Sequence, residues 1–127
     1  MKIYVNKKTA KAHEASTEKW RLIARGEGRD KGRQNCALCR LFNRLACGCR
    51  PCTLALYGAG CTEEGSPFDR WYDHQCRDHF GYSSPRTPGC TTCTALAEAM
   101  YQHMLEVGRC LIVVPGLRKN YAEKGIA

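Results

Sequence analysis

The sequence predicts a small α+β domain of about three helices around cysteine knuckles, with long irregular loops and little strand. Three observations carry that expectation. Cysteines recur in pairs two residues apart, and three stretches combine helical apolar spacing with recognisable ends. Only one short apolar run, "CLIVVP" from Cys110, suits a buried strand. At 127 residues the chain has the size of one domain. A domain this small buries a modest core, so cross-links that restrain the unfolded chain matter. The expected order is a basic N-terminal helix and loop over 1–35, cysteine knuckles over 36–61, a helical region over 62–107 and a tail over 108–127 that is basic and loose from Gly116.

The first helix is expected from Ala12 to Arg25, because Trp20, Ile23 and Ala24 recur at helix spacing with Ala12 and Ser16, and Gly26 is a stop signal. The segment "GEGRDKGRQN" that follows is too glycine-rich for a helix or strand and reads as a loop carrying cations. It lacks the spacing of a phosphate-binding loop.

The cysteine pairs are Cys36/Cys39, Cys49/Cys52 and Cys90/Cys93, and Cys76/His79 repeats the spacing with histidine in the second place. Two intervening residues let both donors turn toward one ion, the arrangement that tetrahedral zinc takes. Disulfides are the competing reading of the ten cysteines. A bridge across two residues closes a tiny loop and restrains little, which favours metal. The first twenty residues hold no apolar run of signal-peptide length, and nothing later approaches a membrane span, so the expected setting is a reducing cytoplasm with no membrane partner.

Between residues 36 and 61 lie Cys36, Cys39, Cys47, Cys49, Cys52 and Cys61, more than one zinc uses. The simplest tetrad is Cys36, Cys39, Cys49 and Cys52, with Cys61 the rival for a place and Cys47 a small apolar bystander.

Ser66, Pro67 and Asp69 then read as an N-cap, a proline at the first helical position and a capping acid. The helix is expected from Pro67 to about Phe80, with Phe68, Trp71, Tyr72 and Gln75 on one face and His79 in its middle. On the same wheel Cys76 lies to one side of that face and His74 well away, so the wheel favours Cys76 with His79. Cys90 and Cys93 open a third helix over about 93–107, whose expected buried stripe is Leu96, Ala99, Met100, His103 and Val107. The free amides at its start stabilise thiolates there. Together these donors give a second tetrad and a count of about two zinc ions. A treble-clef arrangement that pairs Cys36/Cys39 with Cys90/Cys93 stays open. His103 reads as a core histidine, and Cys110 as packing.

The order "STEKWRLIARGEGRDKGRQNCALC", "CRPCTLALYGAGC", "SPFDRWYDHQCRDH" and "CTTCTALAE" resembles a group of uncharacterised cysteine-rich, zinc-binding small proteins of bacteriophages and prophages. The resemblance spans about residues 16 to 98. It places Cys36, Cys39, Cys49, Cys52, Cys61, His74, His79, Cys90 and Cys93 on the group's recurring positions and leaves Cys47, Cys76 and Cys110 as extras. It thus favours His74 where the wheel favours Cys76.

Charge points to a partner. The chain carries a net +8, and residues 1–50 hold thirteen Lys and Arg against four Asp and Glu, while the remainder holds seven against eight. The excess, around Lys7, Lys8, Lys11, Arg21, Arg25, Arg29, Lys31, Arg33, Arg40 and Arg44, suits a polyanion. The expected function is a zinc-stabilised viral module that binds nucleic acid, with Arg21, Arg25, Arg29, Lys31, Arg33, Arg40 and Arg44 as phosphate contacts and Trp20 and Tyr57 as stacking candidates. The alternative is a viral protein that redirects a host protein of transcription or defence. A metal-dependent nuclease using Asp73, His74 and Asp78 is the third reading. It lacks a recognised base-supplying motif and an open metal position.

Overall fold

The computed structural model describes residues 1–42, 51–79 and 84–123. In chain order these form β1 (Lys2–Val5), α1 (Lys7–Ala24), β2 (Arg29–Asp30), a 3-10 turn (Gly32–Gln34), α2 (Ala37–Phe42), α3 (Thr53–Tyr57), α4 (Pro67–Asp78), β3 (Ser84–Pro85), α5 (Thr91–Arg109), β4 (Leu111–Val113) and β5 (Tyr121–Glu123). The class is α+β, with five α-helices among the described residues where about three were expected.

Helix α1 starts well before Ala12 because Asn6 caps it, its Oδ1 accepting the Thr9 amide at 2.9 Å. Asn120 locks that cap from the far end of the chain. Its Oδ1 accepts the Asn6 amide at 3.1 Å, and its Nδ2 donates to the Thr9 hydroxyl at 2.9 Å. The helix stops where the sequence places the stop. Gly26 takes φ +82°, its amide reaches the Ile23 carbonyl, and the Glu27 amide reaches that of Leu22, a Schellman ending.

Helix α4 begins as its residues dictate, with the Ser66 hydroxyl accepting the Asp69 amide at 3.2 Å and Pro67 in the first turn. It ends at Asp78, short of Phe80, which lies outside the described residues. Tyr72 is exposed, so the buried face of α4 is Trp71 and Gln75. Helix α5 buries Cys93, Ala97, Met100, His103, Met104 and Val107. Leu96 and Ala99, expected inside, lie at the edge and outside, because the buried stripe is set one residue over from the expected one.

Helix α5 packs against α1 and α4, and α2 packs on α1. Trp20 and Trp71 meet edge to face at 5.4 Å, and Phe68 approaches Trp20 at 6.0 Å. Trp20 is therefore core and presents no stacking surface to a partner. The loop after α1 is tied down too. Asp30 is buried and accepts from Lys19 Nζ at 2.9 Å, Trp71 Nε1 at 3.1 Å and the Gly32 amide at 2.9 Å.

The sheet has the order β4-β1-β5, with β1 parallel to β4 and antiparallel to β5. Alternation along β1 sends Ile3 and Val5 into the core while Tyr4 stacks on Tyr121 at 4.8 Å. Two expectations change here. The "CLIVVP" strand is an edge strand with Ile112 and Val113 exposed, since it has a neighbour on one side only. The tail beyond Gly116 is anchored through Asn120 and β5. Among the described residues no helix is long and apolar enough to cross a membrane.

Candidate metal centre

The end of α4 and the start of α5 bring four donors together. One donor atom each from His74, His79, Cys90 and Cys93 lies within 4.8 Å of the others. Tetrahedral bonds of roughly 2.0–2.3 Å separate donors by about 3.3–3.8 Å, so an ion closes this set with movements of about 1 Å. Among the described residues it is the one such group.

Each donor has a local cause. Cys90 is the N-cap of α5 and its sulfur accepts the Cys93 amide at 3.4 Å, which turns both sulfurs to the same side of the helix start. The positive end of a 19-residue helix favours thiolates there. Cys93 is fully buried, and burial is the largest influence on its thiol and opposes ionisation. Hydrogen bonds from Gln75 and from the Thr87 backbone, with those of Cys90 and His74, outweigh it and hold the thiol below its ordinary range.

His74 stands in the last turns of α4. Its Nδ1 donates to Asp78 Oδ2 at 2.9 Å, one turn on, and its Nε2 faces the Cys90 sulfur at 3.5 Å. A carboxylate behind one ring nitrogen fixes the tautomer that leaves the other nitrogen's lone pair for an ion. His79 meets the His74 ring edge to face at 4.8 Å, and its Nε2 is buried without a hydrogen-bond partner in the protein. A buried imidazole nitrogen is costly to leave unmet, and an ion among these donors is the partner that satisfies it. Gln75, buried beside them, donates from Nε2 to the Cys93 sulfur at 3.3 Å.

Cys76, which the wheel set ahead of His74, is exposed and stands outside the group. The wheel carries His79 as a helical residue, whereas His79 is the C-cap of α4 at φ −135°, ψ 9°. Leaving helical geometry releases it from the angle of about 140° that separates residues five apart on a helix. His74 and His79 therefore meet.

Of the other expected ligands, Cys36, Cys39, Cys52 and Cys61 are buried or half-buried, while Cys49 and Cys47 lie outside the described residues. The Cys36 sulfur accepts the Cys39 amide at 3.4 Å and contacts the Ser16 hydroxyl at 3.8 Å. A hydrogen bond from the Cys39 thiol, with the Cys39 amide, Lys19 and Ser16, lowers the Cys36 thiol to about 6 against the cost of burial. Cys39 is pushed up, first by its bond to Cys36, then by burial and by the neighbouring Cys36, Cys61 and Cys52 charges. Cys110 is half-buried and contacts the Glu106 carbonyl at 3.6 Å.

Among the expected phosphate contacts, Arg25, Arg29, Lys31 and Arg40 are exposed and Arg21 is bridged to Glu18. Arg33 lies in the 3-10 turn, and Arg44 is outside the described residues. Lys7, Lys8 and Lys11 are exposed on α1, but Glu14 and Glu18 interrupt the cations along that helix. The excess is therefore densest after the helix, around 25–31. The residues proposed for cleavage are engaged otherwise: Asp73 pairs with Arg77 at 3.0 Å and Asp78 with His74. His103 is buried against the Tyr57 ring at 5.5 Å, as a core histidine, which also occupies Tyr57.

Gln75 and Asp78 were missed as supports of the site. A glutamine on an otherwise apolar helix face was the available signal for the first. Asp78 one turn after His74 was the signal for the second. No protein-family model, no curated protein and no solved structure matches this chain.

Proposed function

We propose that the protein is a zinc-binding module of the phage type that works by binding, and that its ligand is nucleic acid held through the basic segment after α1. The observation that supports zinc is the donor set itself. Two thiolates and two imidazoles suit zinc over harder ions, and four protein donors make a closed, structural site. Such an ion ties the end of α4 to the start of α5, and its binding energy is folding energy. A closed site leaves no position for an activated water, which weighs against the nuclease reading.

Nucleic acid is supported by the concentration of charge in residues 1–50 and by the exposure of Arg25, Arg29, Lys31 and Arg40. The setting this implies is the host cytoplasm, where thiols stay reduced. Affinity for a short DNA or RNA duplex is expected to fall steeply between 50 and 200 mM salt, and replacing Arg25, Lys31 and Arg40 by Gln is expected to flatten that slope by about one unit per lost contact. A salt-independent affinity sinks the proposal.

A second reading, docking on a host protein, has its own support in the exposed apolar residues Tyr72, Ile112, Val113 and Tyr121. Pull-down from nuclease-treated lysate separates the two, because a stoichiometric protein partner that survives nuclease favours this one.

A further inference from the structure

We infer that Cys36, Cys39, Cys52 and Cys61 hold a second zinc ion, with Cys61 as the fourth ligand. The inference deepens the zinc reading and shares its premise that the thiols meet metal.

The first pair is built like the pair already described. In Cys36/Cys39, as in Cys90/Cys93, the amide of the second cysteine donates to the sulfur of the first, at 3.4 Å in both. Each pair thus presents two sulfurs to one side while its backbone offers the N–H···S bond that a ligating thiolate accepts. Cys36 has further support from the Ser16 hydroxyl at 3.8 Å, and the thiols of Cys36 and Cys39 hydrogen-bond each other.

The second pair comes from the segment around α3. Cys52 caps the start of α3 and is buried, and Cys61 follows the glycine turn after it. Both lie near enough to Cys39 for their charges to act on it. Cys36, Cys52 and Cys61 pack on the same apolar core. Four thiols set at the edge of one core, near one another and away from any disulfide, are a tetrathiolate donor set. It is a looser set than the His74 group, the one whose donors all lie within 4.8 Å, and the ion draws it in. The two sites then bracket the core, one tying α2 to α3 and the other tying α4 to α5.

Elemental analysis and cobalt substitution of the full chain, purified under reducing conditions, test this. About two ions per chain are expected, and cobalt should give thiolate charge-transfer absorption from six sulfurs, four of them in one site. Cys61→Ala should lower the count to about one, Cys61→His should restore it with one fewer thiolate, and Cys49→Ala should leave it unchanged. His79→Ala should remove only the other ion and leave a tetrathiolate spectrum. A single ion that His79→Ala abolishes overturns the inference and leaves the proposed zinc module standing. Two ions with Cys61→Ala retaining both also overturn it, as does a Cys36–Cys39 disulfide that forms reversibly in place of metal binding. A chain with no ion at all overturns both proposals.

Discussion

Gln75 donates its side-chain amide to the Cys93 sulfur at 3.3 Å, and both residues are buried. The bond reaches the metal group from inside the core, so the same face of α4 that packs Trp71 also orients a ligand. Replacing Gln75 by Leu keeps the volume and removes the donor. Loss of such a supporting bond typically costs 10- to 100-fold in metal affinity. A fall of about tenfold is expected for Gln75→Leu in a zinc competition titration, and an unchanged affinity shows that the amide is only filling space.

Asp78 and Asp73 make an internal control. Asp78 holds the His74 ring at 2.9 Å, whereas Asp73 pairs with Arg77 on the outside of the same helix. Asp78→Ala is expected to weaken metal binding several-fold, toward the low end of the supporting-shell range because the carboxylate is exposed to water. Asp73→Ala should change neither metal affinity nor stability measurably. Equal effects of the two substitutions contradict the assigned roles.

The Lys19–Asp30 pair is buried, with side-chain exposures of 9% and 8%. Asp30→Ala strands the Lys19 ammonium, the Trp71 indole N–H and the Gly32 amide together. Breaking one side of such a pair costs about 3–5 kcal/mol in chemical denaturation. The double change Lys19→Met with Asp30→Ala should recover part of that loss, since no uncompensated charge is left. A cost near zero for the single change means the pair is solvated.

His13 and His103 predict an acid limit to stability. Burial is the main cause that holds both below the ordinary histidine range. His13 is neutral in the fold: its Nε2 donates to the Met104 carbonyl at 2.8 Å and its Nδ1 accepts the Thr53 hydroxyl at 2.8 Å. The unfolded chain binds these protons first, so stability is full above about pH 6.5 and is lost as pH falls through that value. Denaturation midpoints of wild type and His13→Gln, compared at saturating zinc from pH 7.5 to 5.5, check this. The variant should show the shallower decline, and parallel curves refute the role of His13.

Gly26 is the only conformational choice at its position, with φ +82° at the end of α1. Gly26→Ala is expected to cost about 1 kcal/mol from the left-handed backbone. The added methyl also displaces the Arg86 guanidinium, whose Nη2 lies 2.7 Å from the new Cβ. That side chain donates to the Thr94 hydroxyl in the first turn of α5, so the loss should also show in hydrogen exchange there. Unchanged exchange around Thr94 argues that the guanidinium simply moves aside.

The parts of the fold legible from sequence were those written in local residues. Ser66, Pro67 and Asp69 announced the start of α4, Gly26 ended α1, and Cys90 opened α5. What escaped reading is set by distant partners. Strands β1 and β5 are four and three residues long and exist because each pairs across nearly the whole chain, which no local pattern encodes. Helices α2 and α3 are too short to be stable on periodicity and are held by Leu38, Phe42 and Leu54 in the core. At the metal group, residue types and spacing named the donors, while the choice between His74 and Cys76 turned on one dihedral at His79.

Strand β1 occupies the centre of its sheet, yet both of its neighbours come from the other end of the polypeptide. During synthesis Ile3 and Val5 emerge long before Leu111 or Tyr121 exists to cover their edges, so closure of the sheet must be among the last events of folding. Until then the nascent chain holds an apolar strand with two open sides, a stretch on which a chaperone or a neighbouring ribosome's product has time to act.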